Sequence, residues 1–311
     1  MEPGLLKSAD WPALIDVYFF LGGMAGGAFV IATVANLLDR ERYRDIVRIG
    51  YYVAFLAVIP GPVLLTVDLG LPTRFLHMLM VAKPSDAIGM DAITIGPFHL
   101  KPFSPMNAGA WALLGFSLFA FLAALDVFLE GRGGRSMRTL RVVVGVIGGL
   151  FGFFLAAYPG VLLGATARPL FIGAHWLGAL FLAIGASTGG AAIAFVLSLS
   201  GGQRGDALSR LMRFTAFALI VQLAALALFM LTVSTSGSAG IARSLSHLVA
   251  GPYGVPFWLG AVVIGIVVPL ALQFAGVIRK TAPAMTALVS VLILVGGFVV
   301  KYVIIAAGQA T

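Results

Sequence analysis

The sequence predicts an all-α integral membrane protein with eight transmembrane helices. Hydrophobic residues make up 60% of its 311 positions and charged residues only 10%, far below the roughly 25% charge of soluble domains. The apolar residues fall into eight runs, each long enough to cross a bilayer core of about 30 Å, which takes about 20 helical residues. These runs are apolar all round, whereas a membrane β-strand alternates polar and apolar positions over about ten residues. A barrel is therefore excluded.

The spans are read as 11–38, 46–70, 105–129, 141–165, 170–198, 211–234, 254–278 and 283–307. The first ends at the charged run 39–45, and the second runs into a long polar loop, 71–104. The third opens at Ser104-Pro105-Met106-Asn107 and stops at the glycine–arginine run 130–141. The fifth stops at Gly201-Gly202-Gln203-Arg204, the sixth at 234–240, and the seventh at Arg279-Lys280 before Pro283. Pro60-Gly61-Pro62-Val63-Leu64-Leu65 in span 2 is weakly echoed by Pro159-Gly160-Val161-Leu162-Leu163 in span 4.

The formal charge is +8, but the basic residues lie in short clusters between apolar runs. That places them beside anionic lipid, not nucleic acid. The connections after spans 1, 3, 5 and 7, with the adjoining helix ends, hold thirteen of the twenty Lys and Arg. The positive-inside bias then puts both termini and the 71–104 loop outside the cytoplasm. Residues 1–14 carry neither a basic run nor a small-residue cleavage site, so no cleaved signal peptide is expected. Cysteine is absent, so this chain supplies no thiolate ligand and no iron–sulfur cluster. A haem held by two facing histidines has only His175 to draw on within a span, so haem is not expected, and no His/Asp/Glu cluster suggests a metal.

Ionisable groups within a membrane are costly, and each is a candidate for function. Counting along the helices at about 1.5 Å per residue sends Asp16, Tyr18, Asp68, Asn107, Trp111 and Tyr158 to the outer part of the membrane. Arg168, His175 and Trp176 join them at the start of span 5. Two roles are open for Asp68, a salt bridge to Arg74 or proton handling. Its place near a helix C-terminus is unfavourable for a carboxylate. Tyr158 is either a hydrogen-bond donor to a ligand carbonyl or an interfacial anchor. His77 is suited to proton exchange near neutral pH, or is simply solvated. His175, as the one histidine within a span, either serves the site or bonds a neighbouring helix.

Elsewhere simpler roles are expected. Asp126 and Glu130 pair with Arg132, Lys301 snorkels to the headgroups, and Gln222 and Gln273 bond between helices. The glycines of span 1 (Gly22, Gly23, Gly26, Gly27) and the small residues of span 5 (Gly185, Ala186, Gly189, Gly190) form either helix contacts or a groove for a flat ligand.

Several segments resemble the NrfD/PsrC family, the membrane subunits of polysulfide-reductase-like complexes. They are Tyr18 to Ala28 after Trp11, Asp68-Leu69-Gly70-Leu71-Pro72-Thr73-Arg74-Phe75 with His77, and Ser104 to Trp111. Tyr158 to Thr166 and the C-terminal Gly296 to Tyr302 with Ala307-Gly308-Gln309 continue the likeness, with Lys301 where arginine is usual and Asn107 where serine is common. It spans nearly the whole chain, 1–311, as a single membrane domain. The resemblance implies two four-helix bundles, about 11–165 and 170–307, without haem. It implies a quinone site (menaquinone or ubiquinone) near a surface that docks a four-cluster ferredoxin-like iron–sulfur subunit. That subunit joins a catalytic subunit, often a molybdopterin enzyme. On this reading Asp68 and His77 pass protons, Tyr158 and Asn107 orient the ring, and Trp111, Tyr18, Arg74 and His175 complete the site. The span 1 glycines leave room for it. The expected setting is the plasma membrane of a bacterium or archaeon. A secondary transporter and a purely structural anchor are the alternatives, although transporters usually place their sites near the midplane.

Overall fold

The structure, a computed structural model, describes residues 11–80, 93–101, 104–133, 138–166, 168–172, 174–200, 206–275 and 283–310. The basic runs at 201–204 and 279–280 lie outside the described residues. Eight helices are long and apolar enough to cross a membrane, and the protein is a multi-pass membrane protein.

The first span is α1 (Ala13–Asp39). The second is broken by the Pro60-Gly61-Pro62 sequence into α2 (Arg44–Val58) and α3 (Pro60–Asp68), because proline cannot donate to the preceding turn. Beyond α3, Pro72–Met78 forms a 3₁₀ turn. A two-stranded antiparallel hairpin then follows, β1 (Ile93–Ile95) and β2 (Phe98–Leu100), turning at Gly96 with φ of 59°. The third and fourth spans are α4 (Pro105–Gly131), with proline at its first position, and α5 (Arg138–Gly164), which carries Pro159 inside it. A short α6 (Pro169–Ile172) precedes α7 (Leu177–Leu199). Then come α8 (Asp206–Ser234), α9 (Ala239–Val249), α10 (Pro256–Phe274) and α11 (Pro283–Gln309). The first part of α10, Pro256–Val267, is wound as a π-helix.

The packing is consistent with two groups of four. Helices α1, α2–α3, α4 and α5 pack on one another, as do α7, α8, α10 and α11, and α1 and α7 meet along the seam between the groups. Glycine makes that seam close. A Cβ on Gly27 would strike the carbonyl of Gly185, and one on Gly26 the carbonyl of Gly152 on α5. Gly26 and Gly27 are thus met by the backbones of α5 and α7, Gly22 by the Leu155 side chain and Gly23 by Lys301, and Gly26 and Gly27 also border an apolar crevice shared with Ala186. Such backbone approach is how membrane helices associate when no water drives them together.

Lys301 also departs from expectation. It is 0% exposed, its Nζ donates to the Phe19 carbonyl at 2.7 Å, and it lies 4.8 Å from the centre of the Phe181 ring. The room comes from Gly23, where a Cβ would stand 2.7 Å from that Nζ. Lys301 reaches inward because the missing side chain at Gly23 leaves a hole beside a carbonyl, so it does not snorkel. Gln222 behaves as expected, accepting from the Ser187 hydroxyl at 2.7 Å between α8 and α7. Asp126 and Glu130 are ion-paired, but to Arg141, with Arg40 also on Glu130. Arg132 lies over Phe128 instead. The two ends of the described fold meet: the Trp11 amide donates to Gln309 Oε1, and Gln309 Nε2 returns a bond to the Trp11 carbonyl at 3.1 Å.

Candidate functional site

The site is built at one end of the first group, where the 3₁₀ turn, the hairpin and the start of α4 come together. Pro105 starts α4, and Asn107 and Trp111 follow four residues apart on one face of it. Asn107 is 5% exposed and its carboxamide is fully engaged. Oδ1 accepts from the Lys101 amide at 2.7 Å, and Nδ2 donates to the Met78 carbonyl at 2.6 Å and the His99 carbonyl at 3.5 Å. Trp111 Nε1 donates to the same His99 carbonyl at 2.9 Å. The His99 amide in turn donates to the Leu79 carbonyl. One residue of α4 thus pins both the 3₁₀ turn and the hairpin to the helix.

Behind this clasp lies an open cavity of about 890 Å³ between the hairpin and the helices α4 and α5. Its walls are apolar, with Ile95, Leu114, Leu118 and Leu150 among them, and Trp111 and His99 stand at the hairpin side. Phe98 meets the Trp111 ring edge-on at 6.0 Å. His99 is the one titratable side chain in the described wall. It is 5% exposed, its Nδ1 is buried, and its ring bonds to no described residue. Burial, and then the Lys101 charge, hold its imidazole below the usual histidine range.

Phe154 in the same wall stacks on Tyr158 at 5.7 Å. Tyr158 is 6% exposed and sits in the gap left by Gly109 on α4, where a Cβ would overlap its ring. Buried Tyr18 of α1 packs against Gly61 and Phe19. Neither tyrosine hydroxyl bonds to a described residue. Asp16, one turn before Phe19, is buried with its Oδ1 unpartnered among the described residues.

Of the residues the sequence nominates, the structure brings Asn107 and Trp111 together at the hairpin, with Tyr158 one ring behind the cavity wall and Tyr18 on α1 against Gly61. Asp68 ends α3 and is exposed, as are Arg74 and His77 in the 3₁₀ turn. None of the three is in the cavity wall. No ion pair joins Asp68 to Arg74 among the described residues. His175 is not within a span: α7 starts at Leu177, and His175 lies exposed in the turn before it. A span starting at 170 begins too early because Leu170, Phe171 and Ile172 are apolar, yet they form the separate α6. Arg168 is buried and donates to the Gln309 carbonyl at 3.2 Å.

Sequence reasoning passes over His99. A histidine in a polar loop gives no sign of burial by itself. The alternation Ile93, Ile95 and the Gly96 turn are the signal that a hairpin would cover it.

Residues 2–311 match the model of the family described as Polysulphide reductase, NrfD. The sequence is 26% identical to the Protein NrfD homolog of Haemophilus influenzae, over 97% of this protein and 95% of that one. It is also 26% identical to one of the chains of the polysulfide reductase of Wolinella succinogenes, over 96% and 93%. A shorter match, 24% identical, spans 35% of this sequence and 25% of a selenate reductase subunit from Mesobacillus selenatarsenatis. With the family's pattern running from one end to the other over eight membrane-spanning helices, this chain belongs to the NrfD family.

Proposed function

We propose that the protein is the quinone-reactive membrane subunit of a respiratory oxidoreductase complex, passing electrons between the quinone pool and a docked iron–sulfur subunit. The observation that carries this reading is the cavity beneath the hairpin. It is large, apolar and open toward the lipid-facing sides of α4 and α5, and it has a histidine and a tryptophan at one end. Ligand sites commonly combine an apolar volume of several hundred Å³ with a few polar groups, and an isoprenoid quinone has the same division. The crevice of about 360 Å³ between α1, α5, α7 and α8 is lined only by glycine and apolar side chains, so it offers nothing to a polar ring. The relatives named as parts of polysulfide and selenate reductases support a reductase complex.

Oxidation of a quinol releases two electrons and two protons, and the reverse step consumes them. Among the described residues no group of His, Cys, Asp and Glu could hold a metal. In this reading the electrons pass to a cluster held by the partner, since a sequence without cysteine holds no iron–sulfur cluster by thiolates. On the same reading His99 exchanges protons at the ring, and the exposed Asp68 and His77 pass them to water. Tyr158 supplies an unspent hydroxyl behind the wall. Asn107, with its carboxamide already engaged, acts through the loop it holds. The 3₁₀ turn and the hairpin leave Leu71, Phe75, Leu76 and Ile93 exposed, an apolar patch of the kind that partners cover. The iron–sulfur subunit, joined to a catalytic (molybdopterin-type) subunit, is placed over it.

The test is purification of the complex with its partners. Quinone and an iron–sulfur protein are expected to co-purify. Tyr158→Phe and Asp68→Asn are each expected to lower quinol-linked kcat/KM severalfold, both with assembly intact. Normal turnover in both variants would remove these residues from the site. A complex without quinone or an iron–sulfur partner would remove the function.

A further inference from the structure

The other end of the first helix group, at the α1–α2 connection, carries a feature the electron-transfer reading does not use. A notch opens there between α1, α2, α4 and α5. Its charged lining is Arg40, Arg44, Arg48 and Arg141 with Glu130, over a floor that includes Val47 and Val127. Two of the arginines are engaged by carboxylates. Arg141, 2% exposed, donates to Asp126 and to Glu130 at 2.6 Å, and Arg40 donates to Glu130. The other two are not. Arg44 makes no hydrogen bond or ion pair with a described residue. Arg48 lies with its guanidinium against Gly131 at the C-terminal end of α4, 3.8 Å from where a Cβ on that glycine would stand, and 5.9 Å from the centre of the Tyr52 ring.

The four guanidiniums thus face two carboxylates, Asp126 and Glu130, which leaves two positive charges in excess at one spot. Arg44 and Arg48 are four residues apart on α2, and hence on one face of it. That face continues away from the notch as Tyr52, Phe55, Leu56 and Ile59. Leu56 and Ile59 are exposed, and Phe55 meets Phe121 of α4 at 5.6 Å. Charge at the helix start and exposed apolar surface along the next turns match the outline of a phospholipid, headgroup above and acyl chains below. Basic pockets between transmembrane helices suit lipid phosphates on chemical grounds, and guanidinium forks bind phosphate oxygens in pairs. The excess charge decides which lipid. Glu130 and Asp126 are both held by arginine, so no carboxylate in the notch is available to a choline or an ethanolamine.

The interior of the notch, about 20 Å³, has room for a water only. Arg44 and Arg48 are, however, exposed at its mouth, and we propose that this mouth binds the phosphodiester of an anionic phospholipid, gripped by Arg44 and Arg48 with its acyl chains on the α2–α4 seam. The site is independent of the quinone reading, and its test involves no quinone. The full-length protein, purified and delipidated in a neutral detergent, is titrated with phosphatidylglycerol, with phosphatidylcholine and with inorganic phosphate. Retention is followed by native mass spectrometry and stability by thermal unfolding. Phosphatidylglycerol is expected to be retained and to raise the midpoint, while the other two do neither. Arg44→Gln/Arg48→Gln is expected to weaken phosphatidylglycerol binding about 30-fold, from about one unit of membrane-surface attraction per arginine. Arg44→Lys/Arg48→Lys should fall between, keeping charge but losing the fork. Arg243→Gln, at an exposed position of α9, should leave binding unchanged. Equal binding of phosphatidylcholine, equal stabilisation by phosphate alone, or unchanged lipid binding in the glutamine double variant overturns the proposal.

Discussion

Replacing Asn107 with alanine separates two ways in which that residue could serve the site. Its carboxamide makes two close bonds, from the Lys101 amide at 2.7 Å and to the Met78 carbonyl at 2.6 Å, and a longer one to the His99 carbonyl at 3.5 Å. Each close bond contributes about 1 kcal/mol net, and a backbone group left buried without a partner costs about 1–3 kcal/mol. The loss is then about 3 kcal/mol, carried by the docking of the 3₁₀ turn and hairpin onto α4, because the helix keeps its own ladder. At about 1.4 kcal/mol per tenfold, the undocked population rises about 100-fold. Hydrogen exchange followed by mass spectrometry in detergent reads this directly. Amides of residues 93–101 should exchange about 100-fold faster in Asn107→Ala, and those from Leu113 onward in α4 should not change. Trp111 keeps its bond to His99, so the hairpin should loosen without being lost. Unchanged exchange in the hairpin would show that the carboxamide holds nothing there, and the reasoning about how it positions the site would fail.

Three further outcomes are expected. Arg141→Gln removes charge-assisted bonds to both Asp126 and Glu130 and should cost about 3 kcal/mol or more, seen as a lower thermal midpoint; an unmoved midpoint refutes it. Gly27→Ala drives a methyl into the Gly185 carbonyl and should cost about 2 kcal/mol. Gly149→Ala, which meets no atom within 4 Å, should be near neutral, and equal effects of the two would contradict the seam. His99 supplies a pH dependence. Its imidazole is held below the ordinary value of 6.5 by burial and by Lys101, so the docked hairpin disfavours the protonated form. The undocked hairpin takes up the proton first as pH falls, so docking is fully stable above about pH 6.5 and weakens below it. Hairpin exchange measured from pH 8 to 5 should show that loss, and His99→Gln should flatten it; a flat profile in the unaltered protein would contradict the burial argument.

The eight spans are legible in the sequence because a bilayer imposes a length and an all-round apolar composition, and both can be counted. Span ends are less so. Leu170-Phe171-Ile172 looks like the start of a helix that in fact begins at Leu177, and a span begun at residue 170 carries His175 wrongly into the membrane. The hairpin and α9 escape notice since both are short and lie between stronger signals. In the site, Trp111 and Tyr158 are marked by their place at helix ends in recurring motifs. His99 is not, because its importance comes from burial, which depends on a tertiary clasp made by Asn107 eight residues on. Lys301 fails in the opposite way. A lysine near a helix end usually reaches for water, and only the hole at Gly23, 278 residues earlier in the sequence, makes the interior its better destination.

That lysine has a mechanical consequence. It belongs to α11 in the second group of helices, yet its amine donates to a carbonyl of α1 in the first. Beside it, the α1 and α7 backbones touch without side chains between them. A carrier that works by rocking one half of the molecule against the other needs an interface that can part, and here parting would leave the Lys301 amine in hydrocarbon without its partner carbonyl and open the close backbone contact of α1 and α7. The two halves are tied together at that point. Such a tie suits the proposed role, in which only electrons, protons and a small lipid-soluble molecule move while the scaffold that sets their distances stays still.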